Sequence, residues 1–166
     1  MKPAPLAIES ILELQPPSLR MVVPRSCADA NGHMNMRWYV ALFDDAGDEL
    51  HERIGLTPEF HAARNTGTVD LEHHTNFLHE VMPDDTVAVY SRLLARSEKR
   101  VHYVMFLVNE SKGKVAAIFE CMNAFMDLSV RRTAPFPPGI AEEIDGWLSR
   151  DARLPWAAPV SGAMRV

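Results

Sequence analysis

The feature that most constrains this chain is a change of hydrophobic period at Met36. From there Met36, Tyr39, Phe43, Ala46, Leu50 and Ile54 recur at three- and four-residue steps. That spacing lines one face of an α-helix with apolar side chains and leaves the other face polar. Asn35 stands where a side-chain oxygen caps a first turn, and Gly55 follows as a C-terminal stop. A helix with one polar face is not enclosed on all sides, so it must lie across one face of a sheet. Strand-like segments supply that sheet at about 66–79, 85–96, 101–109 and 114–127. Pro83-Asp84-Asp85 and Asn109-Glu110-Ser111-Lys112-Gly113 are the clearest turns between them. Residues 19–27 read as one strand before the helix, and the stretch through Pro58 reads as a linker. One strand, one long helix and four consecutive strands make an α+β pattern, not an alternating βαβ one.

Pro16 and Pro17 separate an N-terminal extension, 1–18, in which Ile8, Ile11 and Leu12 have helical spacing. The main domain is expected over 19–138. A C-terminal helical appendage is expected over 139–166, with Pro155 and Pro159 following a helical stretch at 140–150. With 166 residues, 47% of them hydrophobic and 23% charged, the chain is large enough to bury a core. A formal charge of −5 gives no general field for nucleic acid, so any anion must be held locally, by Lys99, Arg100, Arg131 or Arg132. Pro3, Pro5, Glu9 and Glu13 interrupt the apolar residues near Lys2, so no signal-peptide core forms there. No uncharged run is long enough to cross a bilayer, and a cytoplasmic protein is expected. Two cysteines, Cys27 and Cys121, are too few for a disulfide scaffold and read as small core residues on apolar strands.

The chemistry-bearing residues cluster around the helix start. Asp29, the turn Gly32-His33-Met34-Asn35, and Glu72 with His74 on the next strand are the candidates. Taken singly, Asp29 and Asn35 are ordinary turn and cap residues, and Glu72 with His74 could form a solvated strand face. Together they suit thioester hydrolysis. The unpaired N–H groups of a helix N-terminus polarise a carbonyl and stabilise an oxyanion. A nearby carboxylate then attacks the carbonyl or activates water. His73 and His74 are adjacent, so they face opposite sides of a strand and chelate poorly together, and no HExxH helix occurs. No metal or other cofactor is expected.

These residues resemble a known family. The run Asp29-Ala30-Asn31-Gly32-His33-Met34-Asn35-Met36-Arg37-Trp38-Tyr39 is similar to that of hotdog-fold thioesterases of the 4-hydroxybenzoyl-CoA thioesterase-like group. Leu71-Glu72-His73-His74, Lys99-Arg100-Val101-His102 and the stretch from Glu120 through Arg131-Arg132 to Pro137 resemble the carnitine-linked branch that includes betainyl-CoA thioesterases. The resemblance runs from about residue 19 to 145. It implies a long helix wrapped by a curved antiparallel sheet of about five strands. It further implies a homodimer or homotetramer, paired edge to edge, with an acyl-CoA as substrate and sites at the subunit interface. Asp29 matches the catalytic aspartate of one branch, with attack, water activation or orientation of a partner as its three routes. Glu72 is the second carboxylate candidate, and His33 and Asn35 would position the loop, the carbonyl or the water. Arg131 and Arg132 are the candidates for the coenzyme A phosphates, with His74 also on the substrate side. Trp38 offers an aromatic face to a quaternary ammonium group. Two other functions remain open: a hotdog hydratase or dehydratase, and a non-catalytic acyl-CoA-binding subunit.

Overall fold

The computed structural model describes residues 7–14 and 16–166. Its elements run α1 (Ile8–Leu12), β1 (Leu19–Val22), α2 (Met36–Arg53), α3 (Pro58–Arg64), β2 (Thr66–Phe77), β3 (Thr86–Arg96), β4 (Arg100–Asn109), β5 (Lys114–Asp127), β6 (Arg132–Thr133) and α4 (Pro138–Asp151). The strands form one antiparallel sheet in the order β1-β3-β4-β5-β2, with the two-residue β6 beside β5. Bulges interrupt the register at Asp70/Glu72, Leu93/Ala95 and Leu107/Val108. Each inserts an extra residue, which bends its strand and curls the sheet.

Helix α2 starts and stops where its sequence says it should. The Asn35 Oδ1 accepts from Arg37 N–H at 3.1 Å, and Gly55 takes φ +88° just past the end. The helix lays Tyr39, Leu42, Phe43, Ala46 and Leu50 on the inner face of the sheet, where Phe43 stacks on Phe119 with centroids 4.9 Å apart. Alternation along β4 sends Tyr103, Met105 and Leu107 toward α2, and Val104, Phe106 and Val108 to the outer face.

That outer face is covered by the chain's two terminal segments. Ile11 and Leu14 are buried against the cluster of Tyr90, Phe106 and Val108. From the C-terminal side, Trp156 meets Phe106 edge-on at 5.8 Å, and Arg92 lies 4.2 Å from the Trp156 ring while donating to its carbonyl at 2.8 Å. Glu120, buried on this face, accepts from Ser161 N–H at 2.6 Å and pairs with His102 Nε2 at 2.9 Å. Burial alone would raise its carboxyl, and these hydrogen bonds bring it below the ordinary range. Arg53 ties the N-terminal side to α2 by donating to the carbonyls of Pro16 and Pro17 at 3.0 and 2.8 Å.

Four expectations change. The strand expected over 19–27 ends at Val22, and Arg25–Cys27 turns as a 3-10 segment after Pro24, so Cys27 is buried in a turn and not on a strand. The linker through Pro58 holds α3: Thr57 caps it by accepting from Phe60 N–H at 3.2 Å, and Pro58 needs no hydrogen bond in the first turn. The sheet has a sixth strand, the short β6. Ile140 and Ile144 of α4 join the main core, so that helix completes the inner layer.

Two stability consequences follow from this packing. A Cβ at Gly55 would lie 3.0 Å from Ile140 Cδ1 in a conformation that L-residues rarely adopt. Gly55→Ala should therefore lower stability by about 1–3 kcal/mol in urea unfolding. His51 is buried on α2, and burial holds its pKa down to about 4 from 6.5. Above pH 6.5 the folded and unfolded states are both neutral at this residue. As pH falls toward 4 only the unfolded chain takes up the proton, so on the order of 3 kcal/mol of stability is lost. His51→Gln should lose clearly less stability than the unsubstituted protein when urea unfolding is compared at about pH 7 and about pH 4.5.

Candidate active site

The loop before α2 is held by its own backbone. Gly32 N–H donates to Asp29 O and Asp29 N–H to His33 O, both at 3.0 Å, with Gly32 at φ +85°. Asp29 Oδ1 accepts from Asn31 N–H at 2.8 Å, and its Oδ2 lies 3.7 Å from His33 Nδ1. Met34 N–H reaches Val81 O at 2.8 Å and Asn35 N–H reaches Cys27 O at 2.9 Å, fixing the loop to the body of the domain. Arg37 N–H is taken by the Asn35 side chain and Trp38 N–H by the Asn35 carbonyl. Met36 N–H has no acceptor among the described residues, so this helix start retains a free donor.

Met36 itself lines a mostly apolar groove of about 290 Å³, together with His33, Met34, Tyr39, Phe77, Leu78, His79 and Glu80. Tyr39 closes one side, meeting Phe77 edge-on at 5.2 Å and donating to His79 O at 3.4 Å. The structure thus brings Asp29, His33 and Asn35 together at the start of α2, with the Asp29 carboxylate next to a histidine that faces the groove.

The other expected residues lie elsewhere. Glu72 pairs with Met122 and His74 with Glu120, placing both on the outer face of β2, while His73 points inward and packs on Phe119 at 5.1 Å. Glu72 and His74 are exposed, and His74 Nδ1 is 3.2 Å from Asn76 Nδ2. Within one chain they do not meet the α2 N-terminus, because the sheet separates them from it. Trp38 is half-buried against the core with the Arg37 guanidinium 5.3 Å from its ring, and it borders neither this groove nor the larger cavity described next. Arg131, at φ +55° in the turn from β5 to β6, and Arg132, in β6 opposite Asp127, are both exposed. Cys121 is buried, and burial first of all pushes its thiol far above the ordinary range, which makes it a poor nucleophile.

Sequence reasoning missed the larger cavity, about 600 Å³, between α2 and the inner face of β2. Asp44, Asp48 and His51 face it from the helix, and Asp70, His73 and Asn123 from the sheet. Asp44, Asp48 and His51 sit at i, i+4 and i+7, which was a readable stripe on the polar side of α2. The pairing of Asp70 with Asn123 across β2 and β5, with Asn123 Nδ2 donating to Asp70 Oδ1 at 2.7 Å, was not readable. Among the described residues no group of acidic, histidine or cysteine side chains is arranged to hold a metal, and no helix is long and apolar enough to cross a membrane.

Comparison with known proteins agrees with this architecture. Residues 22–144 match the thioesterase-like superfamily. The betainyl-CoA thioesterase of Pseudomonas aeruginosa is 32% identical over 127 residues, covering 76% of this chain and 80% of that protein. The L-carnitine dehydrogenase/betainyl-CoA thioesterase of Agrobacterium fabrum is 32% identical over 117 residues, 70% of this chain but only 24% of that longer protein. In fold, the chain superposes on a Staphylococcus aureus protein in complex with CoA at a TM-score of 0.81 and 22% identity, covering 89% of this chain and 93% of that one. It superposes on a 1,4-dihydroxy-2-naphthoyl-CoA thioesterase from Synechocystis at 0.68 and 13% identity, covering 76% and 93%. The hydratase and non-catalytic alternatives give way to the shared family: this chain belongs to the thioesterase-like superfamily, and it is a hotdog-fold thioester hydrolase.

Proposed function

We propose that the protein hydrolyses a short acyl-CoA of the betainyl type to the free acid and coenzyme A. The observation that carries the site assignment is the free Met36 N–H at the α2 N-terminus, beside a groove faced by His33 with Asp29 behind it. The thioester carbonyl oxygen takes the Met36 N–H, which with the helix dipole stabilises the negative charge that develops on attack. Asp29 supplies the carboxylate, and its Oδ2 at 3.7 Å from His33 Nδ1 lets the ring steer a water or the carbonyl into place. Water oxygen ends bonded to the acyl carbon, the carbon–sulfur bond breaks, and the proton lost by the water passes to the departing sulfur, so that coenzyme A leaves as the thiol. Similarity to a betainyl-CoA thioesterase supports the acyl group.

A dimer completes this reading. Strand β2 ends the sheet, bonded to β5 alone among the main strands, and it exposes Val69, Leu71 and Phe77. A long open edge with apolar side chains invites pairing with a second copy. The outer face of the sheet is already covered by α1 and the C-terminal segment, which favours pairing along β2 over stacking of sheets. Arg131 and Arg132 lie at the Thr66 end of β2, where Asn65 Nδ2 donates to Ser129 Oγ at 3.0 Å, and are proposed to meet the coenzyme A phosphates.

Asp29→Asn should lower thiol release from acyl-CoA by about a hundredfold or more, on the order of 3 kcal/mol of transition-state stabilisation, with an unchanged circular dichroism spectrum. Glu72→Gln should stay near the unsubstituted rate. A reversal of these two results would move the carboxylate role to Glu72. Light scattering at micromolar concentration should give twice the chain mass, and a stable monomer would remove the paired-edge arrangement.

A further inference from the structure

The cavity between α2 and β2 has an unusual charge balance. Asp44, Asp48 and Asp70 face it, and none of the three has an ion-pair partner among the described residues. Burial, then the charges of Asp48 and Asp70, raise the Asp44 carboxyl above its ordinary range, so the cluster is electrostatically uncompensated. The one basic side chain on the helix wall, His51, is kept neutral by its own burial, and His73 faces the same cavity from β2. Two further groups on this wall are more than nine-tenths buried and carry an unsatisfied polar atom: His51 at Nε2 and Asn123 at Oδ1. A buried carbonyl oxygen without a donor costs free energy unless something electropositive meets it. Phe43, Phe119 and Tyr103 add aromatic faces to the lining, beside the aliphatic Val40 and Val69.

We infer that this cavity receives the positively charged end of the acyl group, and that Asp44, Asp48 and Asp70 select for that charge. The inference rests on the thioester hydrolase acting as the β2-paired dimer proposed above. Helix α2 runs antiparallel to β2: Tyr39, near its start, packs on Phe77, whereas His51, near its end, shares the cavity with Thr68 and Asp70. Two-fold antiparallel pairing of β2 with its copy therefore brings the α2 start of one protomer toward the acidic cavity of its partner. The carbonyl is polarised by one chain and the cation is held by the other. This division also suits the length of α2, because Asp44 stands eight residues from Met36, roughly 12 Å along the axis. That is too far for a carbonyl and an ammonium two bonds apart to be held by a single chain. Carboxylates supply the long-range attraction, and the aromatic faces suit a quaternary ammonium that has no N–H to donate.

The test compares betainyl-CoA with tert-butylacetyl-CoA, which has the same shape but carbon in place of the charged nitrogen. The dimer should prefer the cationic thioester by about a hundredfold or more in kcat/KM. Asp48→Asn, on an exposed helix position, and Asp70→Asn should each cut that preference by about tenfold, with kcat/KM falling by that much more on the cationic than on the neutral thioester. Calorimetry with tetramethylammonium supplies a readout that needs no turnover: it should bind the unsubstituted dimer and bind Asp70→Asn about tenfold more weakly. Equal kcat/KM on the two thioesters, or equal loss on both in the variants, would overturn the selection while leaving the hydrolase intact. Tetramethylammonium binding with no thiol released from any acyl-CoA would instead overturn the proposed reaction and keep the cation site.

Discussion

The structure depends on the contact between the apolar face of α2 and the inner face of the curled sheet. Phe43 on Phe119, with Leu50, Ala46 and Ile54 buried around it, fixes the helix along the strands. Burying each such side chain contributes on the order of 2 kcal/mol, so this one seam supplies much of the domain's cohesion. It also decides where everything functional stands. The helix start is held against the Val81 carbonyl through Met34, and the helix's polar side is turned toward β2.

Both faces of the sheet are occupied, the inner by α2 and α4 and the outer by α1 and the residues around Trp156. The apolar surface still exposed on the strands is concentrated on β2. Among the described residues β2 is a long edge strand, and its edge runs beside both the groove at Met36 and the cavity at Asp70. Under the proposed pairing, the two features that a single chain keeps at opposite ends of α2 become neighbours across the two-fold axis.

The site's electrostatics follow from unequal satisfaction. On the outer face the carboxylate of Glu120 is fully used, bonded to Ser161 and His102, and its role is to fasten the C-terminal segment. Asp85 is likewise used, accepting from Met82 N–H and Asn109 Nδ2 in the turn before β3. Among the described residues Asp44 and Asp48 accept no such bonds, and Asp70 meets only Asn123 Nδ2 and the Cys121 thiol, neither of them charged. Carboxylates that the fold leaves without an ion-pair partner among the described residues are open to whatever enters the cavity, and that imbalance is on the inner surface and not the outer one.

Local chemistry was legible in the sequence wherever a few adjacent residues determine it. The cap at Asn35, the stop at Gly55, the period of α2, four of the strands and the Gly32-His33-Met34-Asn35 turn all rest on contacts within a turn or two of chain. Thr57 and Pro58 also marked a helix start, but α3 is too short for a periodic signal to stand out beside the prolines and glycine around it. The alternation that set Glu72 and His74 on one side of β2 and His73 on the other was equally readable. What alternation could not say is which side faces α2, because strand parity is symmetric until the sheet is assembled. Tertiary structure alone put Glu72 on the outer face, paired Asp70 with Asn123 and set Asp44 and His51 on the wall of an open cavity. Those outcomes depend on registers between strands some 50 residues apart, where no local preference acts and the burial of the whole apolar set chooses the arrangement.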